Sequence, residues 1–118
     1  MCTPVSTPNP DFCIALSTFP DSASAHRVAQ TLVQAKLAAC AQVSAPITSF
    51  YTWQGQLQQD GEVQLILKTR SDLLPKLEQQ LRNLHPYTLP QLVWFDAKAS
   101  HDYQNWLIEN LQPLSVSM

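Results

Sequence analysis

Three histidines, three cysteines and nine carboxylates are the groups in this chain able to ligate a metal or carry out acid–base and nucleophilic chemistry. His85 has the most pointed setting of them. It stands in LRNLHPYTLPQLVWF, Leu81 to Phe95, between a helix-like apolar pattern and a strand-like apolar run. Pro86 and Tyr87 follow it at once. An imidazole placed there can ligate a metal, act as a general base, or hold a rigid turn by hydrogen bonding. His26 and His101 lie near expected helix starts and read as solvated, and no His-x-x-x-His pair occurs.

Cys2, Cys13 and Cys40 form an odd set without C-x-x-C spacing, which argues against a disulfide framework and a zinc knuckle. Cys13 and Cys40 sit in apolar contexts, where a free thiol packs as a small hydrophobe, and a reducing compartment is the simplest setting. Neither has the electropositive neighbours that would activate it. Gly55 and Gly61 are the only glycines, so a glycine-rich phosphate loop is excluded. No Ser-His-Asp pattern with supporting glycines is present, and Asp60 and Glu62 read as solvated neighbours at a turn. The expectation is a protein that is not an enzyme.

The elements that must position these groups follow from pattern. Residues 1–10, rich in Pro, Ser and Thr, read as a flexible arm, 11–112 as a single domain, and 113–118 as a tail. DFCIALST alternates with Phe12, Ile14 and Leu16 on one face and Cys13, Ala15 and Ser17 on the other. Both faces are apolar or small, as in a central strand. Pro20 ends it, Asp21 or Ser22 caps a helix, and apolar residues from Ala25 to Leu37 recur at helical spacing, ending the helix near Ala39. Ile47 to Leu57 is the first arm of a hairpin that turns at Asp60-Gly61 and returns over Glu62 to Arg70. Gln54-Gly55 reads as a bulge or kink within the first arm. Ser71 caps a second helix, with Asp72 and Pro75 in its first turn and Leu74, Leu77, Leu81 and Leu84 as its stripe. LPQLVWFDA is a fourth strand, and Ser100 caps a last helix.

The order is βαββαβ plus a C-terminal helix. It predicts an α+β, ferredoxin-like antiparallel sheet with two helices on one face and a long central hairpin. The other face, assigned Cys13, Ala15, Gln64 and Ile66, is too apolar for water. An eleven-residue arm spans about 35 Å, against a radius of gyration of about 13 Å for a chain of this size. It should project from the body carrying Phe50, Tyr51 and Trp53, which assigns those three to an interface between copies. Charged residues make up only 14 %, which also leaves surface to be hidden in an oligomer. The net charge of −2 and scattered basic residues give no nucleic-acid-binding stripe. The opening MCTPVSTPNP is unlike a signal peptide and nothing reaches transmembrane length, so the cytoplasm, with no membrane partner, is expected.

KLAAC (Lys36 to Cys40), SFYTWQG (Ser49 to Gly55), EVQLILKT (Glu62 to Thr69) and HPYTLPQLV (His85 to Val93), preceded by STFPD (Ser17 to Asp21), resemble in order and spacing the CutA family of divalent-cation-tolerance proteins, from about Phe12 to Leu111. The resemblance implies a fold like that of the PII regulators and a homotrimer in which long hairpin strands pair across subunits. It also implies binding of copper or another divalent metal and a role in metal tolerance. In the family a cysteine, the HPY histidine and a glutamate are the proposed metal ligands. Here those positions are Ser17, His85 and Gln91, so of the three only the imidazole of His85 remains an effective donor. Trp53, Lys68 and Tyr87 correspond to residues near intersubunit clefts, where aromatic walls and a cation suit a small anionic ligand. Two alternatives to metal response therefore stand: a PII-like small-anion sensor, and a non-catalytic trimeric scaffold for another protein.

Overall fold

The computed structural model describes residues 11–114. The flexible arm expected over 1–10, with Cys2, and most of the expected tail lie outside the described residues. The order is β1 (Phe12–Phe19), α1 (Ser22–Gln34), β2 (Cys40–Val43), β3 (Ile47–Trp53) and β4 (Gln56–Arg70). A 3₁₀ turn (Ser71–Leu73), α2 (Leu74–Leu84), β5 (Val93–Ala97) and α3 (His101–Glu109) complete it. The strands lie in the order β2-β4-β1-β5, every pair antiparallel, and β3 continues along β4. This is the expected ferredoxin-like arrangement with an added helix.

β1 is central, and its two faces differ. Cys13, Ala15, Ser17 and Phe19 are buried opposite Thr69, Leu67, Leu65 and Val63. They form the core with Val28 and Leu32 of α1 and Leu77 and Leu81 of α2. The assignment of Cys13 and Ala15 to the uncovered face is therefore corrected. That face carries Ile14, Leu16, Gln64 and Ile66, all half-buried, with Val93 and Phe95 of β5 beside them. The tie had no breaker in the sequence, because both faces of β1 are apolar or small.

The hairpin turns elsewhere than at Asp60-Gly61. Gln54 and Gly55 take φ of 52° and 78°, the left-handed pair of a two-residue hairpin turn, and β4 runs unbroken through Asp60 and Gly61. Cys40–Val43 is a further short strand that the pattern did not reveal. Between Val43↔Leu65 and Ile47↔Glu62 the register gains one residue, a bulge, and there the Ser44 hydroxyl accepts from Gln64 N–H at 2.8 Å. β1 ends at its pairing of Phe19 with Val63. Everything in β3 and the first half of β4 is thus a two-stranded ribbon beyond the main sheet.

Local signals account for some of the helix ends, with three exceptions. Asp21 caps α1 by accepting from Ser24 N–H at 2.7 Å, and α1 stops at Gln34, short of Ala39. Pro75 lies in the first turn of α2 as expected, but Ser71 opens the 3₁₀ turn and α2 has no side-chain cap. Ser100 likewise makes no side-chain cap for α3; its carbonyl accepts from Gln104 N–H. β5 begins at Val93, four residues later than the apolar run suggested. Arg70, 1 % exposed, is held by the Asp72 carboxylate and donates to the Gln112 carbonyl at 2.8 Å, tying the end of the described chain to the sheet.

Candidate functional site

The site is a cleft between the ribbon, the end of β1 and the loop after α2. The residue before a proline is forced out of the helical region, so Pro86 ends α2 at His85. The His85 N–H closes the last turn on the Leu81 carbonyl at 2.8 Å. Its ring, 8 % exposed, stacks on Phe19 with centroids 4.1 Å apart. Nε2–H donates to the Thr18 carbonyl at 2.8 Å, with Ser17 Oγ at 3.3 Å, and Nδ1 accepts from Tyr87 N–H at 3.1 Å. One nitrogen donates and the other accepts, which fixes a neutral imidazole. Burial lowers its pKa, against smaller upward pulls from the Thr18 carbonyl and the charge of Glu62.

Of the positions that the resemblance singled out, Ser17 and His85 meet, while Gln91 bonds to Thr18, the neighbour of Ser17, whose hydroxyl donates to it at 3.0 Å. Both ring nitrogens of His85 are engaged, so a metal there must displace the Thr18 carbonyl or the Tyr87 N–H. No group of three His, Cys, Asp or Glu among the described residues is placed to hold a metal.

The cleft itself has a volume of about 490 Å³ and is lined by Phe50, Tyr51, Trp53, Glu62, Tyr87 and Gln91, among others. Glu62 was read from sequence as solvated, and that is corrected. It is 9 % exposed and accepts from the Tyr87 hydroxyl at 2.7 Å; burial, and after it this hydrogen bond, pushes the phenol pKa far up. The error came from the turn: with Asp60-Gly61 inside β4, Glu62 lies opposite Ile47 at the root of the ribbon rather than at a loop tip. Tyr51 donates to Asp60 along the same ribbon.

Trp53 and Tyr87 line one cleft, but Lys68 is not with them. It reaches Tyr103 of α3, 3.3 Å from the hydroxyl and 5.2 Å from the ring centre, beside a second pocket of about 250 Å³. Cys13 lines that pocket too, and burial raises its thiol pKa, so it is no thiolate. Cys40 is half-buried, and His26 and His101 are exposed. No helix among the described residues is long and apolar enough to cross a membrane.

Known proteins give the arrangement a place. The CutA1 divalent ion tolerance protein family matches residues 13–110. The divalent-cation tolerance protein CutA of Pyrococcus horikoshii is 42 % identical over 97 residues, 81 % of this chain and 94 % of that one. The divalent cation tolerance protein structure from Thermus thermophilus superposes with a TM-score of 0.83 at 37 % identity, over 86 % of this chain and 99 % of the other. CutA1 from Oryza sativa gives 0.84 at 30 % identity, over 88 % and 96 %. With a match that spans nearly all of the described fold, this chain belongs to the CutA1 divalent ion tolerance family.

Proposed function

We propose that this protein serves the response to divalent metal ions as a cytoplasmic homotrimer without catalysis of its own, copper being the metal expected to reach His85. The ribbon carries the trimeric part of this reading. Phe50, Tyr51 and Trp53 are 63, 42 and 50 % exposed on strands beyond the main sheet. Such an edge is open to pairing and invites another chain to cover it. The metal part is supported by the relatives named for divalent-cation tolerance.

The donors temper the metal part. A hydroxyl at Ser17 and an amide at Gln91 add little to an imidazole, so the site is weak. The test is a calorimetric copper titration in a background with Cys2 and Cys40 changed to Ser and Cys13 to Ala, which removes all three competing thiols. The expected result is a weak saturable heat that His85→Ala abolishes. No heat, or the same heat in the variant, rejects His85 as the site. The small-anion alternative has less support. Lys68 lies twelve residues along β4 from the partner of Trp53, about 40 Å at strand spacing. Those two residues can share a ligand only across two subunits.

A further inference from the structure

The cleft beside His85 has a composition suited to neither a metal nor an anion. Tyr51, Trp53 and Tyr87 are among its lining residues, with Tyr51 and Trp53 on the same face of the ribbon as Glu62. Among the described residues, Glu62 is the only charged one in its lining, and no Lys or Arg stands there. The described ion pairs, Arg70–Asp72 and Arg82–Glu78, do not include Glu62. Glu62 as a residue is nine-tenths buried, and its one described side-chain partner is the neutral phenol of Tyr87. Asp60, held by Tyr51, adds negative charge nearby.

A buried carboxylate without a cation is an incomplete electrostatic arrangement, and a cation entering the cleft completes it. The rest of the wall says which kind. A bare divalent ion wants several charged or strongly donating ligands together, whereas Glu62 is the one carboxylate in this wall and the neutral hydroxyls and amide beside it are weak donors. Aromatic faces attract a cation through the ring quadrupole and also cover its attached carbon groups. We infer that the cleft binds a small organic ammonium ion, its charge against Glu62 and its methyl or methylene groups against Tyr51, Trp53 and Tyr87. The volume of about 490 Å³ is ample for such a molecule. This goes beyond the metal-response reading, and it rests on the association of chains leaving the mouth of this cleft open.

The experiment is calorimetry on the full chain after treatment with a chelator. Three probes are titrated: choline, its uncharged isostere 3,3-dimethylbutan-1-ol, and magnesium chloride. The expected outcome is saturable heat with choline alone. Glu62→Gln keeps an acceptor for Tyr87 but removes the charge, and should weaken choline binding about tenfold or more. Trp53→Leu, at a half-exposed position, should weaken it as well in a variant whose sedimentation matches that of the unaltered protein. Equal binding of the alcohol would mean an apolar groove, and binding of magnesium in place of choline an inorganic site. An absence of choline binding would mean a cleft filled by a neighbouring chain. Each of these, or an unchanged affinity in Glu62→Gln, overturns the assignment.

Discussion

Protonating His85 at Nδ1 sets a new N–H against the Tyr87 N–H that this nitrogen accepts. The charged ring would also have to remain 8 % exposed against Phe19. Unfolded, the imidazole titrates near its ordinary 6.5; folded, burial holds it lower. Below 6.5 the unfolded chain therefore binds more protons than the folded one, and stability falls with pH. The contribution is fully present above the unfolded value and is lost as pH drops toward the folded one. Urea midpoints measured between about pH 7.5 and about pH 5.5 should fall more steeply for the native chain than for His85→Gln. The glutamine amide can still donate to Thr18 but cannot titrate. Equal slopes would remove His85 as the source. At this scale the sequence was informative in part. HPY announced a histidine fixed by a proline-terminated helix, and the family motifs pointed to the Ser17–His85 contact. Glu62 was hidden, because a carboxylate beside Asp-Gly looks like any solvated turn residue until the turn is placed.

The ribbon shows why that turn was misread. Asp-Gly is among the strongest hairpin dipeptides, and Gln-Gly is a lesser one. Strand length was the better guide, since a turn at Gln54-Gly55 pairs the seven residues Ile47–Trp53 with Gln56–Glu62 without remainder. Two glycine substitutions separate the two turns. At Gly55 φ is +78° and no atom crowds an added Cβ, so the penalty of a side chain is that of the backbone alone. Gly55→Val should destabilise by about 1–2 kcal/mol. Gly61 lies in an open stretch of β4 without positive φ. Gly61→Thr should be neutral or stabilising by up to about 1 kcal/mol, because a β-branched residue suits a strand and the unfolded chain loses freedom. Thermal midpoints of the two variants decide it, and the reverse order would return the turn to Asp60-Gly61. The helices, by contrast, were legible from the Asp21 cap, Pro75 and the leucine stripe. β2 was not, since four residues whose pairing is long-range carry too little pattern of their own.

Seen whole, the chain is too long for its mass. Its radius of gyration is 16.5 Å and its extents are 59 × 27 × 27 Å, where about 13–14 Å is usual for this number of residues. The excess is the ribbon. A single chain leaves Phe50 63 % exposed, alongside Leu57 at 77 % and the edge residues Val93, Trp94 and Phe95 near half. Phe50→Asp therefore distinguishes the two possible states of the molecule. If the chain stands alone, an exposed side chain is being exchanged for another, and stability changes within about 0.5 kcal/mol. If three chains cover the ribbon, the same change drives an unpaired carboxylate into each interface, which costs several kcal/mol per site. Sedimentation at micromolar concentration should then show a trimer for the native chain and a shift to monomer for the variant. The native melting temperature should also rise with protein concentration, as mass action requires of a folded state held by association. A native chain that sediments as a monomer, with a melting temperature independent of concentration, would leave the ribbon's exposed aromatics without the partner inferred for them.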